Sequence, residues 1–168
     1  GRADDAMALA ARLPADAKGA KLYLDGLGKL SRKDWADAAR KLVEAVDSNT
    51  LPPALGSKAM LALCRAYAAQ GAGEERLVSA RHAHRLSDTL ASRLERATAA
   101  LEVGMVEEAL ANLRHLAAQP RQPSGTWLRL ARAAVEHNAG LPPLRRGWTE
   151  AEQALDRGER IDLRETQH

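Results

Sequence analysis

The 168-residue sequence contains no phenylalanine, only 3% aromatic residues and one cysteine. Each shortage excludes something. A lone Cys64 closes no internal disulfide, so thiol content gives no information about compartment. Few aromatic and β-branched residues leave little material for strands, which draw on those side chains. No apolar run reaches the length of a membrane span and no signal peptide is visible, so this stretch is not expected to insert into a bilayer. Charge of a single sign is also missing: 25 Lys and Arg face 22 Asp and Glu for a net charge of +3, shared as +2 up to Ala80 and +1 beyond. Polyanion binding usually needs a concentrated basic patch. The nearest candidates, Arg81 to Arg85 and Arg145-Arg146, read as solvated helix surface and loop, and no nucleic-acid partner is expected. The chain opens Gly1-Arg2-Ala3 without methionine and reads as a piece of a larger protein, so a signal or anchor could precede it.

What the chain does have is alanine and leucine as its main apolar mass, with many Arg and Glu, a composition that favours helix. The fold class expected is all-α. A small residue recurs at Gly26, Cys64, Ala97 and Ala131, at steps of 38, 33 and 34 residues, each time inside an amphipathic helical stretch. Repeats of this length are hairpins of two helices that bury their apolar faces against their neighbours. Where two helices cross closely, a long side chain would hold the axes apart, so these positions need Gly, Ala or Cys. Cys64 is thereby read as a small buried hydrophobe and not as a reactive thiol.

The organisation follows from periodicity and breakers. Residues 1–14, with Met7, Leu9, Ala10 and Leu13 ahead of Pro14, read as the second helix of a truncated repeat. A repeat over 15–50 has a first helix from Asp16 to Leu30 and a second holding Trp35, Ala38, Ala39, Leu42, Val43 and Val46. Ser31 is the expected cap between them. A repeat over 54–88 turns at Gly71-Ala72-Gly73, and one over 89–120 turns at Gly104. The last, 124–160, opens with Ser124 as expected N-cap and carries an enlarged turn over 139–147, bounded by Gly and Pro. It is followed by a tail, 161–168. The step from small residue to return helix is 12 from Gly26 to Ala38 and from Ala97 to Ala109, but 20 from Ala131 to Ala151.

Chemistry is hard to find. Gly26-Leu27-Gly28-Lys29 fails as a phosphate loop, because Tyr23 stands where the leading glycine is needed and Leu30 replaces Ser or Thr. His82 and His84, two apart on a helix, diverge, and His115 and His137 are isolated, so no metal or cofactor is expected. Glu74-Glu75 and Glu107-Glu108 fall at helix starts, where they complement the helix dipole without any catalytic role. With no set of nucleophile, base and orienting group, no catalytic residue is assigned.

The residues resemble the tetratricopeptide repeat (TPR), W-x2-L-G-x2-Y, then A-x3-F, then P over about 34 residues. The first unit matches at Leu22, Gly26, Ala38, Leu42 and Ala45, and the second at Met60, Leu63, Cys64, Tyr67, Gly71, Ala80 and Ala83, with Arg76 a departure. The third matches at Ala97, Gly104, Ala109, Leu113 and Pro120, with Arg93 and Arg96 where apolar residues are usual. The fourth matches at Trp127, Leu130, Ala131, Ala151 and Leu155. The resemblance implies a right-handed α-solenoid of antiparallel hairpins whose first helices line a concave face. Carried over residue by residue, that face would present Tyr23, Leu27, Leu30, Lys58, Leu61, Arg65, Leu94, Thr98, Leu101, Leu128, Arg132 and Glu136 to a helix or extended peptide of another protein. Several of these leucines could instead pack inside the superhelix. Repeats that clamp a chaperone's terminal carboxylate use Lys and Asn where Tyr23 and Leu27 stand, which argues against that role. The function implied is a non-catalytic scaffold. Analogy with bacterial envelope-assembly and exopolysaccharide-export proteins favours the periplasm weakly over the cytoplasm. A helical regulatory domain of a transcription factor, or a helical enzyme domain with its site around 139–148, is the alternative.

Overall fold

Helices form where the period places them. The computed structural model describes residues 13–14 and 17–165. Two compact units divide near Glu95 and Arg96, inside one helix. The first contains α1 (Lys18–Ser31), α2 (Trp35–Asp47), α3 (Pro53–Gln70), α4 (Gly73–Leu86) and the start of α5 (Leu90–Glu102). The second contains the rest of α5, then α6 (Val106–Ala117), α7 (Ser124–Gly140), a short 3-10 turn (Pro143–Arg145) and α8 (Thr149–Glu165). The expected helix over Asp4 to Leu13 lies outside the described residues, apart from Leu13 itself. No strand occurs among the described residues.

In the first unit α1 packs on α2, α2 on α3 and α3 on α4. Ala38, Ala39, Leu42, Ala59, Met60, Ala62, Leu63, Ala66 and Ala83 form its core, and Tyr23, Leu27 and Leu61 pack against that core while staying half-buried. In the second, α6 packs on α7 and α7 on α8. Leu110, Leu113, Leu116, Leu130, Ala133 and Ala134 are buried there.

The first three turns share one hydrogen-bond design. At the second turn Gly71 has φ +70°, with Gly71 N donating to Ala68 O at 3.2 Å and Ala72 N to Tyr67 O at 3.0 Å. At the third, Gly104 has φ +77°, with Gly104 N donating to Leu101 O and Met105 N to Ala100 O. This paired capping needs a left-handed residue just past the helix, which glycine supplies without steric cost. The first turn repeats it with Lys33 at φ 65°, through Lys33 N to Leu30 O and Asp34 N to Lys29 O. A side chain in that conformation costs roughly 1–2 kcal/mol. Lys33→Gly is therefore expected to stabilise the protein by about 1 kcal/mol, read as a higher urea midpoint at unchanged slope; a lower midpoint would contradict the turn geometry.

The fourth turn departs for a visible reason. Asn138, seven residues after Ala131 as Gly104 is after Ala97, stays helical, and α7 runs on to Gly140. Its Nδ2 donates to Ala134 O at 2.9 Å while its Oδ1 accepts from Gly147 N at 3.0 Å, tying the enlarged loop to the helix. Arg146 adds bonds to the carbonyls of Leu141 and Ala139.

Two expected caps are corrected. Ser31 is the last residue of α1 and its hydroxyl donates to Gly28 O; the residue before α2 is Asp34. Ser124 is the first residue of α7 and makes no cap bond; Pro123 precedes it, and the Ser124 hydroxyl turns to Asp162. A reciprocal cap that sequence reading did not assign sits at α5, where Thr89 N donates to Ser92 Oγ at 3.0 Å and Ser92 N to Thr89 Oγ1 at 3.1 Å. The 161–168 tail is also helical as far as Glu165.

Candidate functional site

The residues that depart from the repeat pattern are each held by ion pairs. Arg76 Nε lies 2.7 Å from Glu95 Oε1, with both side chains mostly buried. Arg93 pairs with Asp88 at 2.6 Å and Arg96 with Glu108 at 2.6 Å. Glu108 thus does more than complement the dipole of α6, in whose first turn it stands beside Glu107. A guanidinium at a half-buried position keeps its alkyl stem on apolar surface and satisfies its charged end with a carboxylate, so the helices accept it.

Cys64 is fully buried, and its Sγ donates to Arg76 O at 3.5 Å. Burial, with the nearby Glu95 carboxylate adding to it and Arg76 opposing, pushes the thiol up to about 12. It stays protonated and sheltered at neutral pH, as a structural cysteine does. Gly26 to Lys29 lies within α1, and a Cβ placed on Gly26 would come 2.7 Å from Leu42 Cγ, so this glycine serves helix contact. His84 Nδ1 lies 3.2 Å from Asp88, one helical turn away. Among the described residues no three His, Cys, Asp or Glu are grouped to hold a metal ion, and no helix is long and apolar enough to cross a membrane.

Two apolar clefts collect the partner-binding candidates, one in each unit. In the first unit, Leu27 and Leu30 from α1, Trp35 from α2 and Arg65 from α3 surround about 390 Å³. Arg65 is exposed at the rim. Its charge reaches Tyr23, whose phenol is pushed up by burial and held back by that guanidinium. In the second unit a cleft of about 490 Å³ lies between α7 and α8. Leu128, Arg132 and Val135 form one wall, and Trp148, Glu152 and Leu155 the other. Four of these apolar side chains are 41–46% exposed, an unusual concentration for a surface. Arg132 Nε lies 2.7 Å from Glu136 Oε1, a turn further along α7.

The two clefts occupy the same register of the repeat. Leu30 and Val135 each stand four residues after the small residue, and Trp35 and Trp148 each stand three before the alanine of the return helix. Of the twelve residues that the resemblance assigns to the binding face, Leu27, Leu30, Arg65, Leu128 and Arg132 line a cleft, and Lys58 is exposed on α3 and lines neither. Tyr23 and Leu61 are half-buried beside the first, and Glu136 orients Arg132. Leu94 and Thr98 are half-buried on α5 and line neither cleft; Leu101 is 5% exposed and serves packing. Trp35, Trp148, Val135 and Leu155 were not assigned to binding from the sequence. The recurring tryptophan three places before the alanine was the signal available.

The loop over 139–147 is pinned by Asn138 and Arg146 as described, and Leu144 at its tip is fully exposed. It contributes no acid or histidine of its own.

No protein-family model matches the sequence, and none of the curated proteins compared with it does. Solved structures do match. A protein of Podosopora anserina, described as a kinesin light chain with nearly identical TPR-like repeats, is similar at 20% identity with a TM-score of 0.71, over 99% of this chain and 86% of that one. A single-residue variant of it is similar at 19% identity and the same TM-score and coverage. The likeness is one of fold: an all-α solenoid of TPR-like repeats.

Proposed function

Proceeding from a TPR-like repeat fold, which suits a protein-interaction scaffold, we propose that this chain is a non-catalytic adaptor. It takes a helix or extended peptide of another protein on its first-helix faces, those the resemblance makes concave. One observation carries the reading. Residues that the resemblance assigns to the binding face, Leu27 with Arg65 and Leu128 with Arg132, fall in apolar clefts, each walled by a tryptophan and rimmed by an arginine. Such a cleft holds apolar anchors of a peptide and orients it through charge. The first unit supplies an internal precedent, since α3 is a helix seated on α2. A role in envelope assembly or exopolysaccharide export draws only on analogy of repeat architecture.

The test is selection of helical peptides from a displayed library on the wild-type chain, followed by affinity measurement on two variants. Leu27→Asp with Arg65→Glu alters the first cleft, and Leu128→Asp with Val135→Asp the second. Each selected peptide should lose about 100-fold or more in affinity for one pair, from the removal of two anchors at ~1.5 kcal/mol or more each. Helical content should stay unchanged. Peptides that bind both variants as well as the wild type would refute the cleft assignment.

A further inference from the structure

A third cavity, separate from both clefts in the residues that line it, crosses α6, α7 and α8 in the second unit and encloses about 720 Å³. That volume falls within the range of ligand sites, roughly 300–1,000 Å³. Its floor is apolar: Leu130 and Ala154 are 4% and 2% exposed, and the Trp127 ring stands beside them. Its rim carries Arg114, Arg157 and Arg160 against the carboxylates of Glu150 and Asp156.

The three arginines are not equivalent. Arg114 is committed to Glu150 through two bonds of 2.7 Å, and this pairing holds the Glu150 carboxyl below its ordinary range. Arg160 is committed to Asp156, one turn back on α8, at 3.0 Å. Arg157 has neither arrangement. Its guanidinium carbon lies 4.8 Å from the centroid of the Trp127 ring, and among the described residues it has no hydrogen-bond acceptor. A cation over an aromatic face is held in place while its N–H donors remain available. The pocket therefore presents one oriented and uncommitted fork of donors above an apolar floor, with one positive charge in excess of its carboxylates.

We propose that this cavity is a second binding site, for an acidic segment of a protein. A carboxylate of the segment accepts from Arg157, and an adjacent aliphatic side chain rests on Trp127 and Leu130. Guanidinium and carboxylate match in geometry, and a bond between two charged groups is among the stronger polar contacts. Glu150 and Asp156 select against a polyphosphate, since a continuous run of phosphates would lie against both carboxylates with only one arginine uncommitted. Nucleic-acid surfaces are instead broadly basic. The site depends on none of the cleft residues, so it stands or falls apart from the proposed scaffold clefts.

The experiment uses the whole chain labelled with nitrogen-15 and follows the three indole N–H resonances of Trp35, Trp127 and Trp148. The probe is a capped hexapeptide alternating glutamate and leucine, with a glutamine-for-glutamate counterpart and an oligouridylate as controls. The Trp127 resonance should move saturably with the acidic peptide while Trp35 stays in place. Arg157→Gln should weaken binding about ten-fold or more, the effect expected from one lost bond between charged groups. Arg157→Lys, which keeps the charge but not the planar fork, should recover part of it. Arg157 is exposed, and an unchanged melting curve establishes that its variants fold. Absence of a saturable Trp127 shift at millimolar peptide would overturn the proposal. So would equal affinity of Arg157→Gln, equal binding of the glutamine counterpart, or an oligouridylate that binds as tightly as the peptide.

Discussion

Gly26→Leu is expected to destabilise the first unit by about 3 kcal/mol or more, near the upper end of overpacking effects. A Cβ at this position already comes 2.7 Å from Leu42 Cγ and 2.9 Å from its Cδ2, and Ala38 O lies 3.5 Å away. Leu42 has no exposed surface and sits in the core with Ala38, Met60 and Leu63, so it has no open side to move into. Glycine in mid-helix costs roughly 1 kcal/mol relative to alanine, and the chain carries that cost at Gly26 because closeness of α1 and α2 returns more. Leu42→Ala alone should cost about 2–5 kcal/mol through the cavity it leaves. Combined with Gly26→Leu, the two losses should fall short of their sum by about 1–3 kcal/mol, because the new side chain enters the vacated space. Denaturant unfolding followed by helical circular dichroism measures all three. Strict additivity would show that Gly26 and Leu42 do not share one volume.

This pair also explains why the architecture is legible in the sequence. In repeat register, Gly26 belongs with Leu42, Cys64 with Ala80, and Ala97 with Leu113. Close helix contact, seen between Gly26 and Leu42, keeps the first member small, so small residues recur at steps of 38, 33 and 34 residues and expose the period. Turns are legible where glycine occupies the left-handed position, as at Gly71 and Gly104, and the first turn is harder to read because Lys33 occupies it. Caps were misread at Ser31 and Ser124 because a serine near a boundary has other carbonyls and carboxylates within reach. Each took one of these, Gly28 O and Asp162 respectively. The break between units within α5 has no sequence signal at all, since the helix continues across it.

The candidate site was half legible for a related reason. The family resemblance selects which residues share the first-helix face, and among them Leu27, Leu30, Arg65, Leu128 and Arg132 line clefts. It does not tell how much of that face the next helix covers. Leu101 is covered and Val135 is not, although both stand four residues after the repeat's small residue. Trp127 with Arg157 brings together side chains 30 positions apart on α7 and α8, across the enlarged turn that breaks the period.

Leu113→Ala should cost the second unit about 2–5 kcal/mol, whereas Leu155→Ala should cost under about 0.5 kcal/mol, as surface substitutions do. The two leucines hold the same repeat position, each four residues after the return-helix alanine. Their surroundings differ: Leu113 has no exposed surface, with α7 packed on its helix, while Leu155 is 46% exposed in the cleft between α7 and α8. One position thus supports the fold where a following helix covers it and stays exposed where none of the described helices does. The reverse ranking is expected in binding. Leu155→Ala should weaken a peptide selected on the second cleft about ten-fold, from ~1.5 kcal/mol of lost apolar burial. Leu113→Ala should leave that affinity unchanged at temperatures where the variant remains folded. Paired denaturation and titration of the two variants decide the matter. If Leu155→Ala destabilises the protein as much as Leu113→Ala does and leaves peptide affinity intact, the α7/α8 face is part of the core and not a docking surface.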